Sequence, residues 1–436
     1  MKRSRLLRPS FAPLVFIGFV FSAAVTFAAE PSPADNAKQI VLLPPRGDEA
    51  ANQDILQWQK RIKENPTASA YWERLGWAYI RKARATQDPG FYRLAELTAD
   101  AWEFSCGTSS DARLLRGHVD HNLHRFKEAE IIARRLVEER KAPADYALLC
   151  DALMEQGELN AAVEVCQTLT NLRPGVESFS RIAHLRWLFG DLAGALDAMK
   201  AAIRAVDPRD NETRAWLYTR FAHYELLSGH ALEAVGLSET ALSAVSEYPL
   251  ALAIKGRALY SVGQYEAGLT FLRRAAERNP IPDNQWWLAD ALRARGEVIP
   301  AEEVEAKLFR QGRAIDPRTL ALFLATRGEK IDWAVGLASE ELKNRSDIFT
   351  HDALAFALFR SGKRAEAAAE IALATAHQTE DPRLWLHAGL LAEEAGDRAS
   401  AKRYLDRAKA MAAVLTPSEQ ALLASHLSPA LVAAAR

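Results

Sequence analysis

Three histidines, His118, His121 and His124, follow one another at three-residue spacing around Asp120. Imidazoles at i and i+3 share a helix face and could hold a divalent metal. His124, however, falls where the chain must turn, and Asp120 points toward a neighbouring helix. The trio therefore reads first as groove histidines with local hydrogen bonds, and His118 and His121 are the metal candidates. Cys150 and Cys166 occupy facing slots of one helix pair, where small or apolar residues belong. They read as buried thiols packing as small apolar groups, with a disulfide as the alternative in an oxidising compartment. Metallopeptidase, serine-hydrolase and P-loop signatures are all missing from the chain. The expectation is a non-catalytic protein without a cofactor.

The elements that must position these residues repeat. The cassette is clearest from Tyr248 to Pro280, where Leu252, Gly256 and Leu259 share one face of a first helix and Gly263 breaks it. Tyr265, Gly268, Leu272 and Ala275 share one face of a second helix, which Pro280 ends. Two antiparallel helices pack closely only where side chains at the crossing are small. The small residues of the first helices are Gly76, Gly117, Cys150, Ala183, Ala222, Gly256, Ala289, Ala321, Ala355 and Gly389, with spacings of 32 to 34 broken only by 41 and 39. Twelve residues beyond Gly117 and each later one stands a second small residue, Trp333 being the exception. Seven residues beyond stands a glycine, as a left-handed helix terminus prefers, with His124 the exception.

This grid resembles the tetratricopeptide repeat family. Trp72, Leu75, Gly76 and Tyr79 keep the spacing of that family's first-helix motif, and Trp385, Gly389, Ala401 and Ala408 keep it near the end. The resemblance implies an all-α, right-handed α-solenoid of about ten helix pairs over residues 51–416, closed by a capping helix and tail over 417–436. It also implies a concave groove, lined by the first helices, that holds a protein or peptide. On the helix grid the residue after each small position points into that groove: Trp77, His118, Asp151, His184, His223, Arg257, Asp290, Leu322, Phe356 and Leu390. One turn further lie Trp187 and Tyr260, and one turn earlier Trp216 and Trp286. The expected partner-binding set is His184, Trp187, Trp216, His223, Arg257, Tyr260, Trp286 and Asp290, mixing aromatic anchors with polar selectors.

The N-terminus carries Lys2, Arg3, Arg5 and Arg8, then a largely apolar run from Phe11 to Ala28. Residues 1–28 read as a secretory signal peptide or an uncleaved anchor, and 29–50, rich in proline, as an extended linker. An exported protein is expected, periplasmic or secreted, touching a membrane only through an uncleaved N-terminus. The formal net charge of −1 argues against a nucleic-acid partner. The alternative is an envelope assembly factor or chaperone-like accessory protein with metal handling.

Overall fold

The computed structural model describes residues 32–45 and 50–427, so the expected signal segment lies outside the described residues. Two N-terminal helices, α1 (Pro33–Val41) and α2 (Ala50–Glu64), precede ten helical hairpins. These pair α3 (Ser69–Thr86) with α4 (Gly90–Cys106), α5 (Ser110–Asn122) with α6 (Phe126–Glu139), α7 (Pro143–Glu155) with α8 (Leu159–Leu172), and α9 (Val176–Leu188) with α10 (Leu192–Ala205). Next come α11 (Asn211–Leu227) with α12 (Ala231–Ala244), α13 (Pro249–Ser261) with α14 (Tyr265–Arg278), and α15 (Pro282–Ala294) with α16 (Val298–Ile315). The series ends with α17 (Pro317–Arg327) and α18 (Ile331–Glu341), α19 (Ile348–Arg360) and α20 (Arg364–Thr375), and α21 (Pro382–Glu394) and α22 (Arg398–Ala410). A 3-10 turn, Ala412–Val414, and α23 (Pro417–His426) follow.

Small residues set the hairpins. A Cβ on Gly268 would lie 2.9 Å from the Gly256 carbonyl oxygen and 3.0 Å from the Tyr260 nitrogen, so α13 and α14 cross backbone to backbone. First helices of most consecutive hairpins touch one another while second helices diverge, which bends the stack with the first helices inside.

Two expectations need correcting, and a third, His124 in place of a turn glycine, holds. The stretch read as extended linker carries α1, whose Ala37 and Val41 are buried; Gln59 and Tyr79 both donate to the Val41 carbonyl and hold its end in place. Trp333 does not fill a small slot. Lys330 adds one left-handed residue after Gly328, which shifts the register so that Ala334 is the buried small residue and Trp333 stays at the edge. His124 adopts the left-handed conformation of the glycines it replaces (φ 60°) and stacks on Phe126 at 5.5 Å.

The largest departure is that the coil closes on itself. Arg345, before α19, pairs with Glu155 at the end of α7, and Ser346 Oγ donates to the Gln156 carbonyl at 3.0 Å. One hairpin on, Trp187 Nε1 donates to the Glu380 carbonyl at 2.8 Å and Thr379 Oγ1 to the Leu188 carbonyl at 2.5 Å. Ser418, in α23, reaches Asp290 of α15. The first two contacts join residues 190 to 193 apart, between five and six repeats, so one superhelical turn rests on the next. One apolar cluster accordingly runs from Leu114 and Trp187 through Trp286 and Phe323 to Leu423.

Candidate functional site

The residues after the small positions do line the inner wall, and they divide into two stretches. Trp77, His118, Asp151, His184 and His223 are partly exposed, whereas Arg257, Asp290, Leu322, Phe356 and Leu390 are buried. Along the first stretch three of the five side chains, Trp77, Asp151 and His184, touch a residue of the next first helix. Trp77 meets His118 edge-on at 5.0 Å. Asp151 accepts from Arg181 Nε at 2.8 Å and from Nη2 at 2.5 Å. His184 Nδ1 stands 3.1 Å from Arg220 Nη2. Further along, Arg257 pairs with Asp283, and Arg327 with Asp290 at 3.1 Å. The wall is a ladder of inter-repeat polar bonds.

Burial pushes the imidazoles of His118, His184 and His223 down to about 3, helped by the cation of Arg84 beside the first and of Arg220 beside the other two. All three are therefore neutral near pH 7. His121 lies edge-on to Phe126 at 5.4 Å. Among the described residues no three His, Cys, Asp or Glu side chains converge as metal ligands, so His118 and His121 are not joined by a third donor. The thiols of Cys150 and Cys166 face each other, both buried and both free.

The expected partner-binding set is largely occupied by the chain itself. Trp187 stacks on Phe349 of α19 at 5.5 Å in addition to its bond to Glu380. Trp286 lies under Arg383 at 5.1 Å and donates to Asp290 Oδ2 at 3.0 Å. That same oxygen also accepts from the Ser418 nitrogen at 3.1 Å. Arg257 and Tyr260 are 8 % exposed, and Trp216 is half-buried against neighbouring helices. The expected open groove is absent over this stretch for a physical reason. The inner residues of the last hairpins are apolar and cannot face water in a row, so the coil winds tightly enough to bury them.

A cleft of about 530 Å³ opens at the seam between turns. One wall is the α13–α14 turn and the end of α15, with Tyr260, Tyr265 and Arg295; the other is Ala412, Ala413, Pro417 and Gln420. Tyr260 and Tyr265 meet edge-to-face at 4.8 Å, and the Arg295 guanidinium lies 5.4 Å from the Tyr265 ring. Gln420 is held by the carbonyls of Ala412 and Leu415 at 3.0 and 2.9 Å, which fixes the second wall.

Hairpins of about 34 residues, crossing at paired small residues, ending in left-handed glycines and stacked with their first helices inside, decide the architecture. The fold is a tetratricopeptide-repeat solenoid. No protein-family model matches the chain, and neither does any curated protein. Solved structures do resemble it. A thermophilic TPR protein of Thermus thermophilus is 22 % identical over 42 % of this chain and 99 % of its own, with a TM-score of 0.38. A tetratricopeptide repeat protein from Parabacteroides merdae is 18 % identical over 58 % and 99 %, with a TM-score of 0.33. Human IFIT1, solved as a dimer with PPP-AAAA, is 13 % identical over 86 % and 94 %, with a TM-score of 0.48.

Several residues that shape this tetratricopeptide-repeat solenoid escape sequence reasoning. Arg181 and Arg220 each stand two residues before a small inner position, a slot the repeat register marks but that carries no periodic type. Arg345 and Ser346 join successive turns from a loop, and nothing local signals a contact across such a distance. Tyr265 and Arg295 flank turn glycines and bound the cleft only because the coil closes.

Proposed function

We propose that the chain is an exported, non-catalytic scaffold that holds a peptide or protein partner, and that the seam cleft is the place it holds it. The cleft carries the reading. Its volume falls in the range of sites that bind specific ligands. Its open wall offers the Tyr265 ring, backed by the buried Tyr260, and a guanidinium, groups that dominate interface energetics. Tyr265 remains 42 % exposed. Export rests on the basic start and apolar run of residues 1–28.

The test places a photoreactive phenylalanine analogue at Tyr265 in the native host, with nuclease treatment as one arm. A discrete protein adduct, reduced at least tenfold by Tyr260→Ala or Arg295→Ala, supports the reading. Capture unchanged by both substitutions, or an adduct that nuclease removes, overturns it. Protease accessibility of the chain in intact cells tests export: protection equal to that of a cytoplasmic control would contradict it.

A further inference from the structure

The α7–α8 hairpin fills its crossing differently from other hairpins. At two of those crossings the facing residues stand sixteen apart in the chain, Gly256 with Leu272 and Gly389 with Leu405. A Cβ on Gly256 would lie 2.8 Å from Leu272 Cγ and 3.0 Å from its main-chain nitrogen. One on Gly389 would lie 2.7 Å from Leu405 Cγ and 3.3 Å from its nitrogen. Each leucine Cβ, one bond from that Cγ, is therefore within about 4.5 Å of the opposite Cβ position, the separation a disulfide spans. A small residue on one helix there makes room for a large one on the other. Cys150 and Cys166 occupy the same two slots, also sixteen apart, and two sulfurs share the space.

The contacts in this hairpin agree with that register. Cys150 Sγ lies against α8 and donates to the Ala162 carbonyl at 3.6 Å, one turn before Cys166. The two sulfurs stand within hydrogen-bonding reach of each other. Cys150 is 0 % exposed and Cys166 1 %, so no oxidant reaches them while the hairpin is closed. Cys106 lies apart from them, at the end of α4.

We infer that Cys150 and Cys166 are a disulfide site, oxidised by thiol–disulfide exchange before the α7–α8 hairpin closes over them. The oxidant is a disulfide of the compartment, either that of a dithiol oxidoreductase or glutathione disulfide. One cysteine thiolate attacks a sulfur of that disulfide, breaks its S–S bond and releases one thiolate. The second cysteine thiolate then attacks the first cysteine's sulfur in the mixed disulfide and releases the other. The two cysteine protons pass to the two released thiolates, and two electrons pass from the pair to the oxidant. The inference rests on the export proposed above, since cytoplasmic thiols are kept reduced. The bond has a place in the fold: it lies five residues before Glu155, so it pins the hairpin whose turn carries the Arg345 and Ser346 contacts between superhelical turns.

The test unfolds the full chain in urea with reductant, refolds it in a glutathione redox buffer, and alkylates it without reductant. Mass spectrometry should show one alkyl group, on Cys106, and a linked Cys150–Cys166 peptide after digestion. The bridged form should melt at a higher temperature than the same chain refolded reduced, and reductant should cleave the bridge faster in urea than in buffer. Three alkyl groups, a bridge that includes Cys106, or a bridged form that melts lower than the reduced one overturns the inference. A second arm alkylates the protein directly in acid-quenched cells of the native host. A bridge there supports both readings; thiols reduced in the cell in a chain that bridges on refolding would count against export and not against the pairing.

Discussion

The indole of Trp187 donates to the main-chain carbonyl of Glu380 across 2.8 Å, joining residues 193 apart in the chain. Thr379, next to Glu380, answers with a bond to the Leu188 carbonyl. Together they tie the C-terminal end of α9 to the loop before α21. Trp187→Phe keeps most of the apolar surface and removes the donor. We expect a loss of about 1–3 kcal/mol in urea unfolding, since the part-buried carbonyl loses its donor. Thr379→Val should interact with it in a double-mutant cycle, because both act on one seam. Full additivity would place the two bonds in independent units.

The turn glycines separate local from long-range demands. Gly157 and Gly229 both lie at positive φ, 75° and 83°. A Cβ on Gly157 would come 2.3 Å from the Ser346 carbonyl oxygen of the next turn, while one on Gly229 would meet nothing within 4 Å. Gly229→Ala should cost only the left-handed strain, about 1–2 kcal/mol. Gly157→Ala should cost a further ~1–3 kcal/mol for the forced contact. Equal losses in thermal or urea unfolding would mean that the turns do not touch there.

Acid should weaken the fold. His118, His184 and His223 are held neutral by burial, with pKa values down to about 3. In the unfolded chain they titrate near 6.5. Because the folded values are lower, their contribution is complete above about pH 6.5 and is lost as pH falls toward 3. Each fully coupled imidazole adds a slope of about 1.4 kcal/mol per pH unit. Asp347 acts in the same direction at lower pH: burial alone would raise it, but Arg318 and Arg345 outweigh that and hold it below the usual carboxylate range. The melting temperature should therefore drop steadily from pH 7 to pH 5, and the triple His→Gln variant should flatten the curve. A melting temperature constant or rising across that interval would contradict the neutral state of these imidazoles.

Much of this architecture is legible in the sequence because it is local. The small residue and the turn glycine recur within one cassette, and the helices fall where Gly256, Gly263, Gly268 and Pro280 place them. The inner-wall positions follow from the same register, and Trp77, His118, Asp151, His184 and His223 do line that wall. The pitch of the coil is different in kind. It depends on small angles summed over five or six hairpins, and on apolar inner residues such as Leu322, Phe356 and Leu390, whose need for cover shows only once the array is assembled. Reading Trp187, Trp286 and Asp290 as open groove residues therefore recognised their face but not the turn that covers them. The seam cleft escaped for the same reason, since its two walls come from Tyr265 and from Ala413, far apart along the chain.

The closure of one superhelical turn on the next is the claim on which the cleft and the buried inner wall both depend. Lys127 Nζ, at the start of α6, donates to the Lys343 carbonyl at 2.7 Å across 216 residues, and the Lys343 side chain is itself exposed. Amine-reactive crosslinking of the monomer with a short reagent, read by mass spectrometry, addresses that contact directly. A Lys127–Lys343 crosslink is the predicted result; a Lys127 that links only to lysines of its own and adjacent hairpins, such as Lys141, would show an open coil and contradict the account.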